Sequence, residues 1–216
     1  MTADLLLASQ SPRRRALLAQ LGVPFEAVAA DVDEMSRPGE TPLALVQRLA
    51  QEKALAVAAR FPGRPVLAAD TIVVLDGQVL GKPVDAAEAT AMLRSLAGRA
   101  HTVLSALFAL DPASGRSAAE LSESVVWMRN YDESEIAAYV ASGDPLDKAG
   151  AYAIQSRAFA PVARIEGCFS GVMGFPLGHV ARVLQAIGLA VPGDVVAVCQ
   201  PHSGRCCQEA DVESLA

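Results

Sequence analysis

Arg13, Arg14 and Arg15 stand in the first turn of a helix, where cations oppose the local field. The preceding run, Leu5-Leu6-Leu7-Ala8-Ser9-Gln10-Ser11-Pro12, reads as a short apolar strand and then a polar turn. Ser11 is suited to cap the helix, Pro12 to begin it and Gly22 to end it. A helix N-terminus carries roughly half a positive charge, so arginines there are unfavourable unless something compensates. A bound anion between free backbone N–H groups and guanidinium groups would compensate, and phosphate is the obvious one. A solvated basic helix start is the plainer alternative. Leu17, Leu18 and Leu21 mark the buried stripe, which places Arg14 above it, Arg13 at its edge and Arg15 toward solvent.

Asp70 is the second candidate. It lies with Thr71 inside the apolar run Val66–Leu75, where a carboxylate is costly unless a cation, a metal or hydrogen bonds offset it. Either it caps a neighbouring loop or it acts as a catalytic or metal-binding acid. Glu34 in a loop and Lys53 on a helix would each pass for surface residues alone. Gly81-Lys82-Pro83 is not a Walker A loop, because Pro83 replaces the required Ser or Thr, but Lys82 can still offer a point charge to phosphate. No Gly-x-Ser-x-Gly elbow, His-x-x-x-His pair or dinucleotide-binding glycine fingerprint appears. Oxygen ligands with Arg and Lys suit a hard divalent cation and an anionic substrate.

The 216 residues are 52% hydrophobic and 19% charged, enough apolar side chain for a substantial core. A net charge of −6 disfavours a general binder of nucleic-acid polymers or anionic membranes, so phosphate-binding cations must be gathered locally. No leader and no membrane-length apolar stretch is visible, and a cytoplasmic setting is expected. Cys168, Cys199, Cys206 and Cys207 do not form a disulfide framework and fit a reducing compartment. Cys199-x2-His202-x3-Cys206-Cys207 could hold a metal, but a frayed tail after about residue 192 is the reading preferred.

Strand and helix signals alternate without a linker. A strand is expected at Phe25–Asp31, a helix from Thr41-Pro42 to near Pro62-Gly63, and a hairpin turning at Asp76-Gly77 into Val79-Leu80. Asp85-x-x-Glu88 and Asp132-x-x-Glu135 read as capping boxes. Between them two long strands, about His101–Leu110 and Ser117–Arg129, join through a turn, and a helix is expected from Pro176 to Ile187. Hairpins among the alternating elements predict an α/β chain with a mixed twisted sheet flanked by helices.

Taken together, these segments resemble the Maf family of nucleoside triphosphate pyrophosphatases. The matching stretches are Leu7-Ala8-Ser9-Gln10-Ser11-Pro12-Arg13-Arg14, Asp33-Glu34, Glu52-Lys53-Ala54, Ala69-Asp70-Thr71-Ile72-Val73-Val74, Gly81-Lys82-Pro83, Asp147-Lys148-Ala149-Gly150-Ala151-Tyr152-Ala153-Ile154-Gln155 and Gly174-Phe175-Pro176-Leu177. The resemblance implies one catalytic domain over residues 1–192 with two lobes around a cleft, as in inosine triphosphatases, followed by a tail over 193–216. It implies hydrolysis of the α–β phosphoanhydride to a monophosphate and pyrophosphate. The form of the late motif is similar to the branch acting on dTTP and UTP, rather than the 7-methyl-GTP branch. A nucleotide-sensing regulator of cell division without turnover is the other class to weigh. By the same resemblance Asp70 is the proton acceptor, and Arg13, Thr71 and Gln155 are linked to specificity. Ser9, Arg14, Lys53 and Lys82 bind substrate, with Arg13 near the base or sugar and Arg14 kept on phosphate, while Glu34 and Asp70 hold Mg²⁺ or Mn²⁺. A homodimer is expected. Ser156 and Phe175 depart from residues common in the family and are expected to alter the base pocket.

Overall fold

The computed structural model describes residues 5–203. In chain order the elements are β1 (Leu5–Leu7), α1 (Pro12–Gln20), β2 (Phe25–Ala27), α2 (Pro42–Arg60), β3 (Val66–Leu75), β4 (Gln78–Leu80), α3 (Ala86–Leu96), β5 (Ala100–Asp111), β6 (Arg116–Met128), α4 (Glu133–Ala141), β7 (Val162–Glu166), α5 (Phe169–Val172), α6 (Leu177–Ala186) and α7 (Val195–Ser203). Two short 3-10 turns, Asp144–Asp147 and Ala149–Ala151, lie between α4 and β7.

The seven strands form one mixed sheet in the order β2-β1-β3-β5-β6-β7, with β4 on the free part of β3. β1 runs parallel to both β2 and β3, and the remaining pairs are antiparallel. The caps are where the sequence puts them: Ser11 accepts from the Arg14 N–H at 3.4 Å, Thr41 from Ala44 at 3.2 Å, and Asp132 with Glu135 makes a reciprocal box. The Asp85 box differs. Asp85 caps Glu88 N–H, but the Glu88 carboxylate reaches past it to the Val84 N–H at 2.7 Å. The strand expected at Phe25–Asp31 stops at Ala27 because β1, its partner, ends at Leu7.

Residues of β3 alternate between the two sheet faces, as a period of two requires. Ala68 and Ile72 pack with Ala50, Ala54 and Val57 of α2. Leu67 and Ala69 join Leu17, Leu18, Phe175 and Leu184 on the opposite face, while Val73 and Leu75 join Leu93, Leu96 and Tyr139 further along. The frayed tail expected from residue 193 begins instead as α7, whose Cys199 is buried in the Leu17–Phe175 cluster. Cys206 and Cys207 lie outside the described residues.

One irregularity of this sheet makes the site. β1 pairs with β3 only at Val66 and Leu67, and β4 joins only from Val73 onward. Between them, residues 68–72 keep β5 on one edge and, among the described residues, have no strand on the other. An open edge exposes backbone groups that need partners and brings residues of both faces to one opening. Asp70 and Thr71, consecutive and pointing to opposite faces, both reach the same cleft for this reason.

Candidate active site

The opening at β3 is a cleft of about 490 Å³. It is lined by the Ala8–Arg14 turn and helix start, by Glu34, Lys53, Asp70 and Thr71, by the Gly81-Lys82 loop, and by residues from Asp147 to Gln155. All nine candidates named from the sequence, Ser9, Arg13, Arg14, Glu34, Lys53, Asp70, Thr71, Lys82 and Gln155, line it.

Its centre is a triad of charges. Lys53 rises from the middle of α2, and its Nζ lies 2.6 Å from Glu34 Oε1 and 2.6 Å from Asp70 Oδ1. Lys53 and Asp70 are both buried, whereas the Glu34 side chain is half exposed. Burial pushes the Glu34 carboxyl up, but the Lys53 hydrogen bond and charge, helped by Lys82 and Arg14, outweigh it and hold the group below its usual range. The ammonium thus answers the question posed by an acid in an apolar strand: Asp70 is offset by a cation.

Arg14 meets three acceptors of the protein itself. Its Nε donates to the Gly174 carbonyl at 2.9 Å, Nη1 to the Ala69 carbonyl at 2.6 Å and Nη2 to Thr71 Oγ1 at 3.1 Å. The Ala69 carbonyl belongs to the open edge of β3, so the guanidinium takes the place of the missing strand. Burial lowers the Arg14 pKa, Asp70 opposes that and Arg13 adds to it. Arg14 is therefore a strut first, with two of its five N–H donors left over for a ligand.

Thr71 is similarly tied in. Ser105 Oγ donates to the Gly171 carbonyl at 2.8 Å, so the hydroxyl of Thr71 must supply the hydrogen in the 2.8 Å Thr71–Ser105 bond while accepting from Arg14. A directed chain Arg14, Thr71, Ser105, Gly171 results, and Thr71 has only a lone pair to offer the cleft. Ser9 Oγ accepts from the Ser11 N–H at 3.2 Å and shapes the turn. Lys82 and Gln155 are exposed at the cleft.

Asp147, Lys148 and Tyr152 stand in the longest matching stretch of the sequence but have no place in the site expected from it, and they form one wall of the cleft. Lys148 is buried and donates to the Asp144 carbonyl at 2.5 Å, Asp144 Oδ1 at 3.0 Å and Asp147 Oδ1 at 2.5 Å. Asp147 Oδ2 then accepts from Arg13 at 3.2 Å, so Arg13 is tethered to this wall rather than to the centre. Burial raises the Asp147 carboxyl, but Lys148 and Arg13 outweigh it and leave the pKa lowered. The Gly81 carbonyl accepts from the Gly150 N–H at 3.0 Å, joining the Lys82 loop to the same wall. Behind Tyr152, whose hydroxyl lies 2.8 Å from His101 Nε2, burial pulls the His101 pKa down to about 4.

Two further expectations change. Cationic Arg13, Arg14, Lys53, Lys82 and Lys148 are met in the lining by acidic Asp31, Glu34, Asp70 and Asp147, so the cleft is nearly balanced rather than a basic hollow. Ser156 and Phe175 do not line it: Ser156 Oγ accepts from the Phe159 N–H in a turn, and Phe175 is fully buried in the core. Among the described residues no group of three His, Cys, Asp or Glu side chains converges on one point, and no helix is long and apolar enough to cross a membrane.

Comparison with known proteins places this cleft in context. The dTTP/UTP pyrophosphatase of Pelotomaculum thermopropionicum is 46% identical over 188 residues, covering 87% of this chain and 98% of that protein. The dTTP/UTP pyrophosphatase of Myxococcus xanthus is 49% identical over 196 residues, covering 89% and 98%. The solved Ham1 protein of Staphylococcus aureus is similar over 98% of this chain and 99% of that one, with a TM-score of 0.46 and 11% identity. Residues 4–187, which contain the whole cleft lining, match the Maf-like protein family, and the chain belongs to that family.

Proposed function

We propose that the cleft binds a nucleoside triphosphate and hydrolyses its α–β phosphoanhydride, releasing the monophosphate and pyrophosphate. The observation that carries this reading is the Glu34–Lys53–Asp70 triad at an open strand edge, with further cations on the Lys82 loop and α1. Phosphoryl transfer asks for placement and charge compensation more than for covalent chemistry, and this is what the cleft offers. The names of the relatives favour dTTP and UTP as substrates over 7-methyl-GTP, and they favour turnover over sensing alone.

In this reading Lys53 and Lys82 meet phosphate oxygens, Arg13 lies toward the base or sugar, and Gln155 uses its amide donor and acceptor on a pyrimidine edge. Asp70 orients the attacking water and takes its proton. Arg14 and Thr71 hold the strand edge so that Asp70 stays in place.

A divalent ion fits the donor set: Glu34 and Asp70 already converge on one cation, and Mg²⁺ or Mn²⁺ is commonly bound by one or two carboxylates plus substrate phosphates. Glu34 and Asp70 would hold it, and when bound it would neutralise charge on the leaving pyrophosphate.

A panel of nucleotides assayed for pyrophosphate release, with Mg²⁺, with Mn²⁺ and without metal, tests the reading. Preferred release from dTTP and UTP is expected. Nucleotide-dependent thermal stabilisation without any release would replace the enzyme by a sensor.

A further inference from the structure

The cation that joins Glu34 to Asp70 in the free protein is the protein's own. We propose that Lys53 blocks the divalent-metal position until the triphosphate draws its ammonium away, so that metal and nucleotide enter together and not metal first. This rests on the function proposed above and adds an order of binding to it.

The geometry supplies the block. A metal ion shared by Glu34 and Asp70 must lie between their oxygens, and Lys53 Nζ is already there at 2.6 Å from each. Its side chain and that of Asp70 are each about nine-tenths buried, so the ammonium is not a passing surface contact. Being part of the same chain, it occupies the position without the loss of translational freedom that a free ion suffers. A free divalent ion would have to expel Lys53 while both carboxylates were needed for itself. The displaced ammonium would then stay in a cleft where Arg14 and Lys82 already act on Glu34. In the lining as a whole, five cationic side chains and a dication would then face four acids, an arrangement that Coulomb repulsion opposes.

A triphosphate reverses this balance. It brings several negative charges and many acceptor oxygens to a strongly hydrated point charge on a flexible stem of four carbons. Lys53 can swing onto phosphate from its place on α2, which leaves both carboxylates to the ion that accompanies the nucleotide. Linkage then requires the reciprocal effect: whatever factor the nucleotide adds to metal affinity, metal adds to nucleotide affinity.

The test is Mn²⁺ binding to the full-length protein, followed by the loss of the free-ion electron paramagnetic resonance signal, with no turnover involved. Wild-type protein alone is expected to leave about 1 mM Mn²⁺ free, whereas Lys53→Met alone binds it at least about tenfold more tightly, within the range typical of coupled sites. Equal Mn²⁺ binding by the two proteins overturns the proposal. Should Lys53→Met fail to fold, wild type decides with and without a non-hydrolysable triphosphate analogue: Mn²⁺ taken up, beyond what the analogue binds by itself, only when both are present upholds the block, and uptake by the free protein, or none in either case, overturns it. Because no nucleotide is hydrolysed, the outcome is separate from the pyrophosphate-release panel, which can fail while the Mn²⁺ result stands.

Discussion

Replacing Arg14 by lysine keeps a positive charge at the cleft and removes the fork that spans three acceptors. The guanidinium donates to the carbonyls of Ala69 and Gly174 and to Thr71 Oγ1, over distances of 2.6–3.1 Å. Hydrogen bonds to a charged group contribute about 1.5–3 kcal/mol each, and an acceptor left buried without a donor costs about 1–3 kcal/mol. A lysine ammonium can meet one of the three well, so two acceptors lose their donor. Allowing for non-additivity among neighbours, Arg14→Lys should destabilise the free protein by about 2–4 kcal/mol. That is a large part of a typical stability of about 5–15 kcal/mol. In urea the midpoint should fall by roughly 1 M. Unfolding followed by the fluorescence of Trp127, the one tryptophan, measures this without nucleotide present. An unchanged unfolding curve with only KM raised would refute the strut and return Arg14 to the role of a simple phosphate ligand.

Two further outcomes follow from the same structure. Burial keeps His101 unprotonated down to about pH 4, while in the unfolded chain it titrates near its ordinary 6.5. The unfolded state therefore takes up the proton first: stability is full above about pH 6.5 and falls as pH drops, by about 2–3 kcal/mol over the interval to 4.5. Urea titrations at steps across that interval should show a shallower slope in His101→Phe, and an identical slope would exclude His101 as its source. Gly174 sits at φ +94, and a Cβ there would lie 3.1 Å from Thr71 Oγ1 and 3.5 Å from Arg14 Nη2. Gly174→Ala should cost more than about 2 kcal/mol and lower pyrophosphate release, whereas Gly39→Ala, strained at φ +74 but in open space, should cost about 1 kcal/mol and leave release unchanged. Equal costs at the two positions, measured by urea unfolding, would contradict the contact of Gly174 with the strut.

Much of the fold was legible because local chemistry and tertiary structure agree. Ser11-Pro12, Thr41-Pro42 and the Asp132–Glu135 box fix helix starts without help from distant residues. The apolar run around Asp70 announced both the strand and its anomaly. Helical spacing also gave the direction of Arg14 correctly: Arg15 is exposed and Arg14 turns inward. Spacing could not give what Arg14 meets, since the Gly174 carbonyl is 160 residues away and the open edge of β3 exists only once β1 and β4 are paired. Asp147 and Lys148 escaped for a related reason. Asp147 ends one short 3-10 turn and Lys148 is the extended residue before the next, with no periodicity to read, and the tie of Asp147 to Arg13 is a contact across the chain. The near balance of charge in the cleft was hidden as well, because the basic and acidic members come from separate segments whose convergence no composition reveals.

The account as a whole depends on Asp70 acting on water and not merely holding Lys53. Asp70→Asn keeps the shape of the side chain and leaves Glu34 as a partner for Lys53. Pyrophosphate release from dTTP by this variant, beside wild type and with binding of a non-hydrolysable analogue measured in parallel, separates the two roles. Loss of a general base should slow release by about 10²–10⁴-fold with analogue affinity held within about tenfold. Release at the wild-type rate would contradict the account.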